Sequence, residues 1–347
     1  MNPEYTRRLE KIEAVLQSWL PESPGSEWLE SVFGLPGGSV PPELARFLVR
    51  PGWDLVGRGG KRWRPLLMLL TAEGLGGAAG AAAALPLTPL VEFPHNASLI
   101  HDDIEDNSDE RRGKPAVHIL YGGDTAINGG AFLYFLPLAC LKNSAFPQEQ
   151  KNRIYGIWGE YMRRLHLGQA MDIAWHRDYH SLPGLEEYRL MCSLKTGCLA
   201  RLAAVLGVYC ADPAGDGPAR ILGEGAEKLG VGFQILDDVK NLTTGIPGKK
   251  RGDDITEGKK SLPVLLYLHR YPEQRDFAAR CFSAARLAGT GAPEVEEFIG
   301  ALEKAGVLEE AGNQGLELIR ESRECFTSWP FAAEGRELFG GLFDLLS

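Results

Sequence analysis

The chain has 347 residues, 44% of them hydrophobic, with a formal net charge of −9. That is enough apolar material for a sizeable core, and an acidic balance without a basic face excludes the usual footprint of a nucleic-acid-binding protein. Six cysteines occur singly and residues 1–20 carry scattered charges in place of a secretory signal, so reduced thiols and a cytoplasmic setting are expected.

Leu9, Ile12, Val15, Leu16 and Trp19 recur at helical spacing and predict one amphipathic helix over residues 2–20, closed by Pro21. From there to residue 51 Pro, Gly and Ser are frequent, which predicts an arm with a short helix in it. Residues 1–51 are therefore expected as an N-terminal helix and arm, and 52–347 as the body of the protein. Beyond the arm, apolar periodicity is helical almost throughout and no two-residue alternation marks a half-buried strand. The fold class is all-α, with long helices joined by short connections as in a bundle.

Residues 59–65, Gly-Gly-Lys-Arg-Trp-Arg-Pro, put Lys61 and Arg64 three apart at the start of an apolar helix, where backbone N–H groups also favour anions. In isolation this reads equally as an ordinary charged helix start. The longest uncharged run, Gly74 to Val91, contains four glycines and two prolines, which argue for a small-residue helix pair with a turn and against a membrane span.

Next, Asp102, Asp106 and Asp109 recur at i, i+4 and i+7 and so stack along one helix face. Leu99, Ile100 and Ile104 around them draw that helix towards the core, where uncompensated carboxylates are costly. A bound cation resolves the conflict; a solvated acidic face is the plainer alternative. Arg111 and Arg112 follow at once, and guanidinium forks match phosphate oxygens in bidentate fashion.

Further on, Gln169 with Asp172, then Lys195-Thr196-Gly197, then Gln234 add polar groups to apolar stretches. His176 and His180 have a zinc-like spacing, but the intervening glutamate of HExxH is missing and Ser181 to Gly184 closes the helix. No GxSxG elbow occurs, and no cysteine sits in an activated setting.

Asp237, Asp238 and Asn241 repeat the one-and-four spacing of Asp102, Asp103 and Asp106. Two such clusters on opposed helices of a bundle would cradle Mg²⁺, which prefers oxygen ligands, keeps several waters and bridges carboxylates to phosphate. A diphosphate substrate is the expectation. The glycine-rich loop after the second cluster carries Lys249 and Lys259 towards such a phosphate, or is a charged surface loop.

In order, GGKRWRP, DDIEDNSDERRG, GQAMD, KTG, FQILDDVKN and GKKRGDDITEGKKSLP resemble the motifs of the trans-isoprenyl diphosphate synthases, the polyprenyl synthetase family, from about Gly59 to Leu268. Within it the chain looks most like geranylgeranyl diphosphate synthases of eukaryotic type. The resemblance implies a single-domain isoprenoid-synthase helical bundle around a central cavity. It also implies head-to-tail joining of isopentenyl diphosphate to an allylic diphosphate with loss of pyrophosphate, in a homodimer with no nucleic-acid partner and no membrane span.

By motif position it makes Asp102, Asp103, Asp106, Asp237 and Asp238 the ligands of three magnesium ions, with Asn241 an outer contributor. Arg111, Lys195, Gln234, Lys249 and Lys259 would bind the allylic diphosphate, and Lys61, Arg64, His95 and Arg112 that of isopentenyl diphosphate. The Lys195 carbonyl, Thr196 hydroxyl and Gln234 amide would face the allylic cation. Ala97 and Ser98, both small, with Tyr134, Phe135 and His166 as blocks, would set a twenty-carbon product. The alternatives are a farnesyl or longer polyprenyl synthase, a terpene cyclase or head-to-head condenser of the same fold, and a non-catalytic partner subunit.

Overall fold

The computed structural model describes residues 3–36, 39–245 and 250–346. Helices dominate them, as the periodicity requires, and the strands are two residues each, Glu110–Arg111 antiparallel to Lys114–Pro115. The first helix runs Pro3–Trp19 and the short helix of the arm is Ser26–Phe33. The next helix, Pro42–Gly57, starts inside the expected arm, so the boundary near residue 51 falls within a helix. Pro51 is tolerated there because it is buried at a close crossing: a Cβ on Gly129, in helix Gly123–Phe135, would lie 2.8 Å from the Pro51 ring.

Internal packing divides the chain into two compact units. The first comprises Met1–Met162, Leu202–Gly223 and Thr327–Leu342, and buries Leu66, Leu67, Leu90, Phe93 and Ile100. Its small-residue run is two helices, Trp63–Ala84 and Pro89–Glu105, the former bent at Gly77 (φ 58°) and followed by a 3₁₀ turn at Leu85–Leu87. The second comprises Arg163–Arg201, Glu224–Phe326 and Phe343–Ser347, around Tyr188, Leu265, Phe282, Val295 and Phe298.

Among the described residues, Trp63–Glu105, Gly123–Lys142 and Leu185–Ala211 are long and apolar enough to cross a membrane by length and composition. The first is interrupted by the Gly77 bend, and the third carries Arg189, Lys195 and Arg201.

Candidate active site

In the first unit, helix Pro89–Glu105 presents the first acidic set. Asp103 is fully buried and accepts hydrogen bonds from Arg111 Nε at 2.8 Å and from Arg111 Nη2. Asp102 and Asp106 are half-buried, with Asp102 Oδ2 3.7 Å from Arg111 Nη2, and Asp109 is exposed. The hairpin that follows turns through Arg112 (φ 54°) and Gly113 (φ 74°), a type I′ pattern that seldom places arginine at its first central position.

What holds the hairpin is Arg58, unremarked in the sequence: its Nη1 donates to the carbonyls of Arg111 (2.9 Å) and Pro115 (3.0 Å). Arg58 is fixed in turn by Asp54 at 3.0 Å, which also accepts from the Tyr121 hydroxyl at 2.9 Å. The one signal for this pair was its i, i+4 spacing.

Arg64 is 7% exposed and stacks 4.3 Å over Trp63, while Lys61 at the loop tip is exposed. Burial, then the charges of Arg64, Arg112, Arg62 and Arg111, hold the His95 pKa well below its usual value, so the imidazole is neutral. Burial likewise pushes the Arg112 guanidinium down to about 10. Half-buried and buried guanidiniums around a neutral ring gather charge-assisted donors of the kind that a diphosphate's oxygens fit.

Ala97 is fully buried, Ser98 donates its hydroxyl to the His95 carbonyl at 2.8 Å, and the buried Tyr134 ring lies 5.7 Å from that of His101. Phe135, expected beside Tyr134, is 64% exposed. Consecutive helical residues point about 100° apart, and here that turn carries Tyr134 into the core and Phe135 to the surface. His166 is exposed too, in the second unit.

In the second unit, Lys195 and Thr196 lie in a π-helical turn, Ser193–Gly197, the kind of bulge often found at functional sites. Two glycines grip it. A Cβ on Gly168 would stand 2.4 Å from the Lys195 nitrogen, and one on Gly230 would stand 2.7 Å from Gly197 Cα. Lys195 Nζ pairs with Asp172 at 2.6 Å. The Thr196 hydroxyl donates to Gln234 Oε1 (2.8 Å), and Gln234 Nε2 donates to Asp238 Oδ1 (2.8 Å). Tyr188 donates to Asp238 Oδ2, also at 2.8 Å.

Asp238 is pushed up to about 7, first by burial and then by the neighbouring Asp254 carboxylate. Two buried carboxylates close enough to repel each other make an oxygen-rich set, and hard oxygen donors are the chemistry that fits magnesium. Sequence reasoning had passed over Asp254. Asp237 is half-buried.

Asn241 is 1% exposed, its Oδ1 accepts from the Asp254 N–H at 3.1 Å and its Nδ2 donates to the Lys250 carbonyl at 3.4 Å, so it also latches the loop that follows the second acidic cluster. Lys259 is half-buried and pairs with Glu257 at 2.5 Å, and Lys249 lies outside the described residues. Among the described residues no group of three or more His, Cys, Asp or Glu side chains is placed to hold a metal ion. His176 is buried and His180 exposed beyond the helix end at Arg177, so they make no zinc pair.

Beside this loop Lys260 is 2% exposed, with Nζ donating to the Gly258 carbonyl (3.1 Å) and lying 4.4 Å from the Phe282 ring centre. Burial lowers its pKa from 10.5 to about 8. Between those values the folded chain has released the proton and the unfolded chain still holds it, so stability rises with pH across that window and levels off above it. Chemical denaturation from pH 7 to 11 should show wild type gaining up to about 3 kcal/mol relative to Lys260→Met, and parallel profiles would contradict this.

The family model for polyprenyl synthetase matches residues 45–292. A geranylfarnesyl diphosphate synthase of Aeropyrum pernix is 32% identical over 300 residues, 84% of this chain and 91% of that one. A geranylgeranyl pyrophosphate synthase of Eremothecium gossypii is 37% identical over 244 residues, 68% and 75% of the two chains. Among solved structures, geranylgeranyl pyrophosphate synthetase from Pyrococcus horikoshii superimposes with a TM-score of 0.80 at 27% identity, covering 99% of this chain and 98% of that one.

Proposed function

The chain belongs to the polyprenyl synthetase family and is a trans-prenyltransferase, and we propose that it extends an allylic diphosphate with isopentenyl diphosphate to geranylgeranyl diphosphate, releasing pyrophosphate. The observation that carries this reading is the cluster of Arg64, Arg112 and neutral His95, because a cyclase has no second diphosphate to hold.

In this reading Asp102, Asp103, Asp106, Asp237 and Asp238 are the ligands of three magnesium ions, whose chemistry is to neutralise charge on the departing pyrophosphate. Arg111, Lys195, Gln234, Lys249 and Lys259 bind the allylic diphosphate, with Arg111 and Lys195 kept aimed by Asp103 and Asp172. The Lys195 carbonyl and the oxygens of Thr196 and Gln234 steady the allylic cation without a nucleophile strong enough to capture it. Lys61, Arg64, His95 and Arg112 hold isopentenyl diphosphate, and pyrophosphate removes the final proton. In a homodimer, exposed Leu44, Phe47, Ile119, Leu120, Ile127 and Phe135 of three helices in the first unit would be covered by the second copy.

Purified protein incubated with labelled isopentenyl diphosphate, a series of allylic diphosphates and Mg²⁺ should yield a twenty-carbon diphosphate. No elongation of any primer rejects the proposal, and hydrocarbon released without isopentenyl diphosphate favours a cyclase. Ala97 and Ser98 are small side chains just ahead of the first acidic cluster, so in this reading Ser98→Phe should shift the main product to fifteen carbons. An unchanged product distribution by chromatography would remove Ser98 from length control.

A further inference from the structure

We propose that Glu13, Arg62, Glu92 and Asn96 form a hydrogen-bonded relay that positions Arg112, which makes the N-terminal helix a working part of the isopentenyl diphosphate subsite. The inference rests on the assignment of Arg112 to that subsite. Arg62 is 4% exposed and adopts φ 48°, a left-handed conformation that non-glycine residues keep only where the surroundings enforce it. Its Nε donates to Glu13 Oε1 at 2.6 Å, its Nη1 to Glu92 Oε1 at 2.7 Å, and its Nη2 to the Val56 carbonyl.

Glu92 Oε1 also accepts from Asn96 Nδ2 at 2.9 Å, and the same Nδ2 reaches the Glu92 carbonyl at 2.8 Å. Both of those partners only accept, which fixes the amide with its nitrogen towards Glu92. Asn96 Oδ1 is therefore turned to Arg112, whose Nη1 donates to it at 3.1 Å and to the Leu55 carbonyl at 3.0 Å. The other arm of that guanidinium packs on Gly60, where a Cβ would stand 3.2 Å from Arg112 Nη2.

Two carboxylates and two guanidiniums balance along this line, and each group has its direction set by the one before it. Such a network is strong when every member is satisfied and loses its aim when one is removed. Arg112 itself sits in a strained turn, so its side-chain partners and not its backbone preference decide where the fork points. Glu13, on the outer side, is the most exposed member, with 34% of its side chain accessible.

Steady-state kinetics on the full-length enzyme tests this. Glu13→Ala and Asn96→Ala should each raise KM for isopentenyl diphosphate tenfold or more, with KM for the allylic primer and kcat within twofold of wild type. Glu13→Gln, which keeps an acceptor for Arg62 Nε, should recover most of that loss. If Asn96→Ala does not fold, the Glu13 pair still decides the matter. An unchanged KM for isopentenyl diphosphate in Glu13→Ala, or a uniform change in all three constants with a lowered Tm, overturns the relay. Arg112→Lys, assayed alongside, separates the two levels: a tenfold KM effect there with none in Glu13→Ala sinks the relay alone. No effect in Arg112→Lys sinks the subsite reading and the relay with it.

Discussion

Asp102→Asn is expected to cut kcat by roughly a thousandfold, the size of effect that follows loss of a group stabilising transition-state charge. Asp102 isolates the chemistry better than its neighbour. Asp103 is fully buried under Arg111, so neutralising it leaves a guanidinium without its partner and confuses function with folding. Asp102 is half-buried and stands 3.7 Å from the same guanidinium, so its amide should leave Tm within a few degrees. Turnover at saturating substrates over a magnesium titration is the measurement. Activity within threefold of wild type at moderate magnesium would exclude Asp102 from the ligand set.

The second large effect is steric. Gly168→Ala should lower kcat about a hundredfold and destabilise the protein by about 3 kcal/mol, because the new methyl would stand 2.4 Å from the Lys195 nitrogen and 2.7 Å from the Leu194 carbonyl carbon. Those are backbone atoms of the turn that carries Lys195 and Thr196, and they have no rotamer to change. Retreat is blocked, since Gly230 already lies against Gly197 and Thr196 on another side. Gly156→Ala is the control: on the same helix, Gln148–Arg177, its Cβ meets nothing within 4 Å, and the helix propensity of alanine should stabilise it by up to about 1 kcal/mol. Urea denaturation with kcat for both variants decides the matter, and identical behaviour would mean the turn yields more freely than its packing allows.

Much of the candidate site was legible because its signals are local. Paired aspartates at a one-and-four spacing, arginines directly after them and Lys-Thr-Gly in an apolar helix declare oxygen ligands and anion donors wherever they fold. The helical class followed in the same way from apolar periodicity.

Partner choice across long stretches of chain had no such signal. Asp54 and Arg58 stand four apart on one helix, and nothing in that spacing shows that Arg58 holds the hairpin of Arg111 and Arg112. Asn241 matches a metal-ligand spacing, which gives no sign that the backbone N–H of Asp254 donates to its carbonyl oxygen. Tyr134 and Phe135, adjacent in the chain, separated into core and surface.

The sequence by itself determined the all-α class, the acidic and basic chemistry and the family, because residue type and short helical spacing are properties of the chain. Only the tertiary structure decided which of those groups point where: the Glu13-to-Arg112 line, the glycine grip on the π-turn and the Asp238–Asp254 pair. Each depends on close approach of distant segments, and that is set by packing of the whole core, which no fixed offset along the chain encodes.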